Sequence, residues 1–380
     1  MELPTYFSEF IGKIRPTTSQ EEDMRTGYKT LRDRLEADDD LKNIIISTFL
    51  QGSFRRSTAI KAQGDKRSDV DLVVVTNLDK DKVTPAQAFQ KFKPFMEKYY
   101  KGKYKQNGRS FGIELSYVDL DLVITAAPPQ SEQAAFKARS VTSSLLLEED
   151  TEWRLNESWV PPDAKNRLAM LKEAISKTEL TLSPLWIPDR DSQKWERTHP
   201  IAQIKWTAAK NRRCNAHYVN VVKAIKWWRR EMQPKPKYPK GYPVEHLIGV
   251  CCPDGITSIC KGVTSALENI VTQFAAYAAA KRTPFLADHG VPEHNVFARV
   301  SGEEFAAFYG HVKDAAAIAR KAMDAPTVKA SADAWRELFG DEFPKAPDDD
   351  RDSDGGKDAP VLGGYTPRKE VSVIGGGRFA

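Results

Sequence analysis

The sequence predicts an α/β + α fold with two lobes, in which a mixed sheet with helices is followed by a helical domain. Two runs of β-branched and apolar residues, 44–50 and 70–75, have the composition of buried strands. Farther along the chain, a helix is predicted over 202–232, where apolar residues recur at helical spacing from Tyr218 to Met232. The stretches 262–282 and 302–323 are also predicted to be helical. A hydrophobic content of 41% and a charged content of 29% are typical of a globular protein.

Composition and charge restrict the class of protein. No apolar run approaches the roughly 18 residues that cross a membrane, and the N-terminus lacks the basic-then-apolar pattern of a secretory signal. Four cysteines in 380 residues do not make a disulfide framework. We therefore expect a cytoplasmic protein that does not insert into a membrane. Its net charge of +5 fits polyanionic substrates such as nucleotides.

The chain divides by composition into three predicted parts. A first helix is predicted over 19–37, where a serine and three acids precede good helix formers. A Pro- and Trp-rich stretch, 184–200, is predicted to be an ordered connector that packs between the lobes. From residue 344 onward, Asp and Gly dominate and large apolar residues are scarce, which predicts a flexible tail. The predicted parts are a core at 1–165, a connector and helical domain at 166–340, and a tail at 341–380.

A tight turn follows the first strand. Gly52 allows backbone N–H groups to approach an anion closely, and Ser53 adds a hydroxyl donor. Residues 57–60 are predicted to open a short helix, whose N-terminus would also favour phosphate. Gly and Ser are common turn residues, so the turn alone is weak evidence. With Gln51 beside it, the turn nevertheless predicts a site for the phosphates of a nucleotide.

Two Asp-x-Asp pairs are predicted on strands. Residues i and i+2 of a strand face the same way, so Asp69 and Asp71 project together. The stretch 112–125 is predicted as another strand, on which Asp119 and Asp121 share a face. Strands are normally depleted in Asp, which argues against a merely solvated edge. Neighbouring carboxylates repel each other unless a cation lies between them, and hard oxygen ligands suit Mg²⁺ or Mn²⁺.

Three of these carboxylates are predicted to be both catalytic and metal-binding. They are Asp69, Asp71 and Asp121. Asp121 is favoured over Asp119 because a buried run, 122–124, follows it just as 72–74 follows Asp71. Asp119 stays open as the alternative third carboxylate.

The order of these motifs resembles that of a known enzyme family. A Gly-Ser turn, an Asp-x-Asp pair and a distant third Asp are similar to the polymerase-β-like nucleotidyltransferases. Within them, QGSFRRSTAI followed by DVDLVVV resembles the bacterial cyclic-oligonucleotide synthases, or CD-NTases. These are relatives of cyclic GMP–AMP synthase and oligoadenylate synthase that work in anti-phage (CBASS) signalling. The resemblance implies a polymerase-β-like core, an early helix that bridges both lobes, and an oligoadenylate-synthase-like second domain.

The resemblance also implies an activity. Nucleoside triphosphates (ATP, possibly GTP) would be joined with Mg²⁺ or Mn²⁺ and loss of pyrophosphate, without a nucleic-acid template. The product would be a cyclic di- or trinucleotide, with a lean toward one that contains adenine. Lys226, within VVKAIKWW, matches a lysine that reaches the triphosphate in the family. Gly241 stands where relatives have a phosphate-contacting serine. A flexible C-terminus ending at Ala380 fits capture by an accessory enzyme of the E1/E2 type.

Two further questions stay open at the level of sequence. His246, Cys251, Cys252 and Cys260 supply enough ligands for Zn²⁺, as in the zinc thumb of cyclic GMP–AMP synthase, but they also suit a buried helix end. A nucleotidyltransferase that acts on RNA ends or on a small acceptor would share the three Asp residues. A degenerate fold that only binds RNA or a partner is a third alternative.

Overall fold

The structure of the chain, a computed structural model, describes residues 1–137, 182–232 and 237–347. Residues Met1–Ala346 form one compact unit. The predicted boundary between residues 165 and 166 and the predicted capture site at Ala380 lie outside the described residues. The three-part division of the chain therefore stays a prediction.

The N-terminal region contains a five-stranded mixed sheet, which confirms the predicted fold class. Its strands lie in the order β1-β2-β5-β4-β3. The central pair, β2 and β5, is parallel, and the other neighbouring pairs are antiparallel. The strands are β1 (Ile45–Gln51), β2 (Ser68–Thr76), β3 (Tyr104–Gln106), β4 (Phe111–Glu114) and β5 (Val118–Thr125).

The stretch 112–125 is two strands rather than the one strand predicted. The chain reverses between β4 and β5, where the Leu115 N–H donates to the Val118 carbonyl at 3.0 Å. Apolar and polar residues alternate on both sides of this tight turn, and the adjacent Tyr117 and Val118 are the one break in the pattern between residues 113 and 122. The reversal places β4 next to β5 in the sheet.

The two faces of the sheet have different partners. On one face, Val70, Leu72 and Val74 join a core with two long helices. These are α2 (Thr18–Ala37) and α4 (Pro85–Tyr100), and each begins at a threonine that forms a capping box. On the other face, Val73 and Val75 pack in a second core cluster. Because side chains alternate along β2, Asp69 and Asp71 lie on this second face.

The rest of the described chain is mainly helical, as predicted. One helix, 202–232 in the prediction, is broken in two where Asn215 and Ala216 adopt positive φ. Buried aromatic side chains, among them Trp227 and Trp335, form the core of this region, and the N-terminal helix α1 (Pro4–Ile14) packs into it. The helices are α5 (Pro200–Arg213), α6 (Tyr218–Glu231), α7 (Tyr242–Cys251), α8 (Ile259–Ala279), α9 (Gly302–Asp324) and α10 (Val328–Phe339), with a 3₁₀ turn at Gly340–Glu342 and a four-residue helix α3 at Gly52–Arg55.

The connector predicted at 184–200 forms a β-hairpin, β6 (Leu185–Asp189) and β7 (Lys194–Thr198). It is ordered by contacts with the core: the Ala126 N–H donates to the Trp186 carbonyl at 2.8 Å, and the Trp195 indole donates to the Val83 carbonyl at 2.8 Å. Within the part of the chain that the structure describes, no helix combines the length and apolarity needed to cross a bilayer.

Candidate active site

Strand register places the four Asp residues on one patch of the sheet. In the parallel pair β2/β5, Asp69 lies opposite Asp119, and Asp71 lies opposite Asp121. Residues directly opposite each other in a ladder point to the same face. The four carboxylates therefore share the face on which the hairpin β6/β7 packs.

Three of the four carboxylates converge. Ligand oxygens of Asp69, Asp71 and Asp121 all lie within 4.8 Å of one another, with Asp69 exposed and the other two half-buried. Asp119 is instead held by Arg67, whose Nε lies 2.7 Å from Asp119 Oδ1. The three converging carboxylates could hold a metal ion, and hard oxygen donors of this kind suit Mg²⁺ or Mn²⁺.

The electrostatics of the three carboxylates fit a site for a divalent cation. Reduced hydration raises the pKa of Asp69 to about 8, and the neighbouring charges of Asp71, Asp121 and Asp119 add to the shift. Reduced hydration and Asp121 raise the pKa of Asp71 to about 6. Burial also raises the pKa of Asp121, although hydrogen bonds from Ser110 and Asn107 oppose that shift. A divalent cation would relieve this repulsion and hold all three groups ionised.

The metal-free protein should lose stability as the pH rises. Because the folded pKa of Asp69 exceeds the unfolded value of about 3.9, the folded state binds more protons between that value and pH 8, so the free energy of unfolding falls across this window. Asp69→Asn should therefore raise the melting temperature at pH 8.5 in chelator, with little effect near pH 4. Thermal unfolding with chelator or Mg²⁺ measures this.

Two further measurements test whether ionisation of Asp69 causes this loss of stability. Mg²⁺ should raise the melting temperature of the unaltered protein more at pH 8.5 than at pH 6, since the metal requires ionised carboxylates. Asp79→Asn, in the loop after β2, should produce no stabilisation at pH 8.5. Equal stabilisation by Asp79→Asn and Asp69→Asn would contradict the prediction.

The Gly-Ser turn lies directly against Asp71. Gln51 is opposite Asp71 in the β1/β2 ladder, and Gly52 has a φ of +73°. A Cβ atom at Gly52 would lie 1.7 Å from Asp71 Oδ2, so only glycine fits between the turn and the carboxylate. Ser53 follows within the four-residue helix Gly52–Arg55.

The short helix predicted at 57–60 is wrong. The helical turn lies earlier, at Gly52–Arg55, and Ser57 has a φ of +59°. The Thr58 N–H donates a hydrogen bond to the Ser53 carbonyl at 2.9 Å, which closes the turn. The phosphate-binding surface predicted here is therefore limited to residues 51–53.

Two residues that sequence reasoning missed hold Asp121. Ser110 Oγ donates to Asp121 Oδ1 at 3.0 Å, and Asn107 Nδ2 donates to the same oxygen at 3.3 Å. Both belong to the polar stretch before β4, for which no role was predicted from the sequence. Beside them, a cavity of about 200 Å³ separates the sheet from the hairpin. It is lined by Gln51, Asp71, Val73, Arg109, Ser110, Asp121, Val123, Thr125, Ile187, Thr198 and Pro200.

Lys226 lies behind the turn. Its Nζ donates to the Thr58 carbonyl at 2.8 Å. Burial lowers the pKa of Lys226, whereas the charges of Glu245 and Asp71 oppose that shift. Its predicted role at the triphosphate stays a prediction, and the contact with Thr58 shows that Lys226 also supports the turn.

A buried ion pair joins the turn to the helical region, and sequence reasoning did not find it. Arg56 Nε lies 2.6 Å from Glu245 Oε1, and both side chains are less than one-tenth exposed. The Thr58 hydroxyl donates to Glu245 Oε2 at 2.8 Å, and the Tyr242 ring lies under the Arg56 guanidinium. Arg56 keeps the pKa of Glu245 below its usual value despite burial.

The possible zinc ligands do not assemble. His246 stacks on His289, with ring centroids 4.0 Å apart, and Cys260 Sγ contacts Ser258 Oγ. All four cysteines are free and buried. Within residues 1–137, 182–232 and 237–347, the one group of three or more such ligands is the Asp cluster. The set His246, Cys251, Cys252 and Cys260 therefore belongs to the helical core.

Known proteins are similar to this chain in sequence and in fold. A family model described as the Second Messenger Oligonucleotide or Dinucleotide Synthetase domain matches residues 1–129. The chain is similar to the cyclic AMP-AMP-GMP synthase of Enterobacter hormaechei subsp. hoffmannii, with 48% identity and 100% of both chains covered. It is similarly related to a probable cyclic AMP-AMP-GMP nucleotide synthase of Salmonella paratyphi B, with 49% identity over 95% of this chain and 97% of that one.

A solved structure shares the fold. The CD-NTase CdnG of Bradyrhizobium diazoefficiens, in complex with GTP, superposes with a TM-score of 0.62 and 12% identity, covering 89% of this chain and 96% of that one.

Proposed function

We propose that this chain, which belongs to the CD-NTase family of cyclic-oligonucleotide synthases, condenses two ATP and one GTP into a cyclic trinucleotide. The family membership makes it a nucleotidyltransferase that forms a cyclic oligonucleotide. The choice of two adenines and one guanine rests on the relatives of 48% and 49% identity, which are named for that product.

The observation that carries the proposal is the contact between the Gly-Ser turn and the Asp cluster. Gly52 brings the turn against Asp71, so a triphosphate on the turn would have its oxygens beside the three carboxylates. Bound Mg²⁺ or Mn²⁺ would neutralise those oxygens and lower the pKa of the attacking hydroxyl. Catalysis would then come mainly from positioning and electrostatic stabilisation.

The residues of the site have separate roles in this reaction. Gln51, Gly52 and Ser53 would orient the donor triphosphate, and Lys226 would support it from the helical region. Asp121, oriented by Ser110 and Asn107, would assist removal of the proton from the acceptor ribose hydroxyl. The hydroxyl oxygen bonds to the α-phosphorus, the bond to the bridging oxygen breaks, and pyrophosphate leaves. Three such steps, the last within one molecule, close the ring.

Analysis of the reaction product tests the proposed function. Purified protein is incubated with the four labelled nucleoside triphosphates and Mg²⁺ or Mn²⁺, treated with phosphatase, and analysed by chromatography and mass. We expect a phosphatase-resistant species with two adenines and one guanine, absent from the variant with both Asp69→Asn and Asp71→Asn. A cyclic species with other bases would correct the substrate. Exclusively linear products would favour the alternative, an enzyme that acts on RNA ends or a small acceptor.

The cellular setting follows from the family. We place the reaction in the cytoplasm and in anti-phage signalling, which is where the CD-NTase family works, and we expect no nucleic-acid template. Recognition of Ala380 by an accessory E1/E2-type enzyme remains part of the proposal on the same ground. Incubation with such an enzyme and ATP, followed by mass analysis of the C-terminal peptide, tests it.

A further inference from the structure

A second cavity, with cationic side chains in its wall, lies beside the three carboxylates. Its volume is about 350 Å³, and Arg67 and Lys105 contribute positive charge to its wall. None of the roles described above uses these two residues. The wall comprises Arg67, Gly102, Lys103, Tyr104, Lys105, Glu114, Leu115 and Ser116.

Register across the whole sheet places Lys105 on the face that carries the Asp cluster. Successive partners across the five strands are Gln51, Asp71, Asp121, Gly112 and Lys105. Directly opposite residues share a face. The Gly-Ser turn is therefore at one end of this row, Lys105 is at the other end, and the carboxylates lie between them.

A glycine on β4 leaves space between Lys105 and the third carboxylate. A Cβ atom at Gly112 would lie 3.5 Å from Asp121 Oδ1 and 3.5 Å from Lys105 Cε. Without that atom, no side chain of residue 112 stands between the lysine and the third carboxylate. The cavity is thus next to the reacting centre, on the side opposite the turn.

Both ion pairs are open to solvent, since the pair of Lys105 is exposed and the pair of Arg67 is half-buried. The side chains of Arg67 and Asp119 are 31% and 35% exposed, and those of Lys105 and Glu114 are 63% and 49% exposed. Exposed ion pairs contribute little to stability. A phosphate group, with more charge and more acceptor oxygens than a carboxylate, can displace such partners at small cost.

We propose that Arg67 and Lys105 bind the 5′-triphosphate of the acceptor nucleotide. The inference rests on the proposed function, because it concerns the second substrate of the same site. Each joining step brings together two molecules that both carry a 5′-triphosphate, and the acceptor keeps its own. Placing that group on the far side of the carboxylates separates it from the donor triphosphate and from the metal site.

The test uses one nucleotide that can act only as donor, so that the acceptor can be varied independently. A labelled 2′,3′-dideoxynucleoside triphosphate can act only as donor, because it has no ribose hydroxyl. The acceptor is a nucleoside triphosphate or the matching monophosphate, and the terminated linear product is measured. For the unaltered protein, kcat/KM should be at least about tenfold higher with the triphosphate acceptor, as expected for charge-assisted hydrogen bonds to phosphate.

The variants are chosen to keep the fold. Lys105→Gln alters an exposed side chain, and Arg67→Gln leaves Asp119 in place with about one-third of its side chain accessible to solvent. Each should lower kcat/KM for the triphosphate acceptor about tenfold and change the monophosphate value less than about twofold. Lys321→Gln is the matched control, since Lys321 is 68% exposed and paired with Glu337, and it should change neither value.

If the variants lose kcat/KM equally with both acceptors, or lose none with either acceptor, the proposed acceptor site is wrong. It is also wrong if the unaltered protein uses the two acceptors equally well. Absence of any terminated product from the unaltered protein would instead overturn the proposed function, and the acceptor site with it.

Discussion

Replacing Asp71 with asparagine should lower the rate of product formation at least about a thousandfold and leave the fold intact. Asp71 lies between Gln51 and Asp121 in the sheet, against the Gly-Ser turn, and belongs to the converging carboxylates. Metal ions contribute several kcal/mol of transition-state charge stabilisation, and roughly 1.4 kcal/mol corresponds to a tenfold change in rate. Pyrophosphate release from ATP and GTP with Mg²⁺ measures the loss.

Asp119 and Asp121 provide the matched comparison. They share one strand face, but Asp121 joins the converging group and Asp119 is paired with Arg67. We expect Asp121→Asn to lower the rate at least about a hundredfold, as when one preorganised transition-state contact is removed. Asp119→Asn should lower the rate less than about tenfold, since it breaks a half-buried ion pair outside the converging group. The reverse order would identify Asp119 as the third catalytic carboxylate.

Replacing Glu245 with alanine should destabilise the protein by about 3–5 kcal/mol, the usual cost of removing one partner of a buried ion pair. The substitution would leave the Arg56 guanidinium buried without its carboxylate and would remove the acceptor for the Thr58 hydroxyl. Denaturant unfolding measures the loss. Because the Thr58 N–H closes the Gly-Ser turn through its hydrogen bond to the Ser53 carbonyl, activity at temperatures where the variant is folded should fall as well.

An exposed ion pair gives the control for this effect. Glu268 and Arg320 form two contacts, at 2.7 Å and 2.8 Å, on the surface of the helical region. Glu268→Ala should cost about 1 kcal/mol or less. Replacing both partners of the buried pair, with Arg56→Met and Glu245→Leu, should recover part of the lost stability. A loss for Glu245→Ala no larger than that for Glu268→Ala would show that the buried pair contributes little.

Much of the fold was predictable because the signals are local. A capping threonine followed by Pro marks the start of the helix at Pro85, and β-branched runs mark β1 and β2. The Asp-x-Asp pairs could be assigned to shared faces because the side-chain period of a strand is two. The break between α5 and α6 was missed, since no Gly or Pro marks it within 202–232, although the backbone at residues 215 and 216 leaves the helical region.

The sequence by itself determined that carboxylates accompany a Gly-Ser turn and which strand faces carry them. It did not determine which strands are neighbours, because register depends on contacts between residues far apart in the chain. The tertiary structure decided that Asp121 converges with Asp69 and Asp71 while Asp119 pairs with Arg67. It also decided that Arg56 is buried against Glu245, 189 residues away. Charge neutralisation explains the two ion pairs, Arg67 with Asp119 and Arg56 with Glu245: a buried charge requires an opposite charge nearby, and only the folded chain determines which one is within reach.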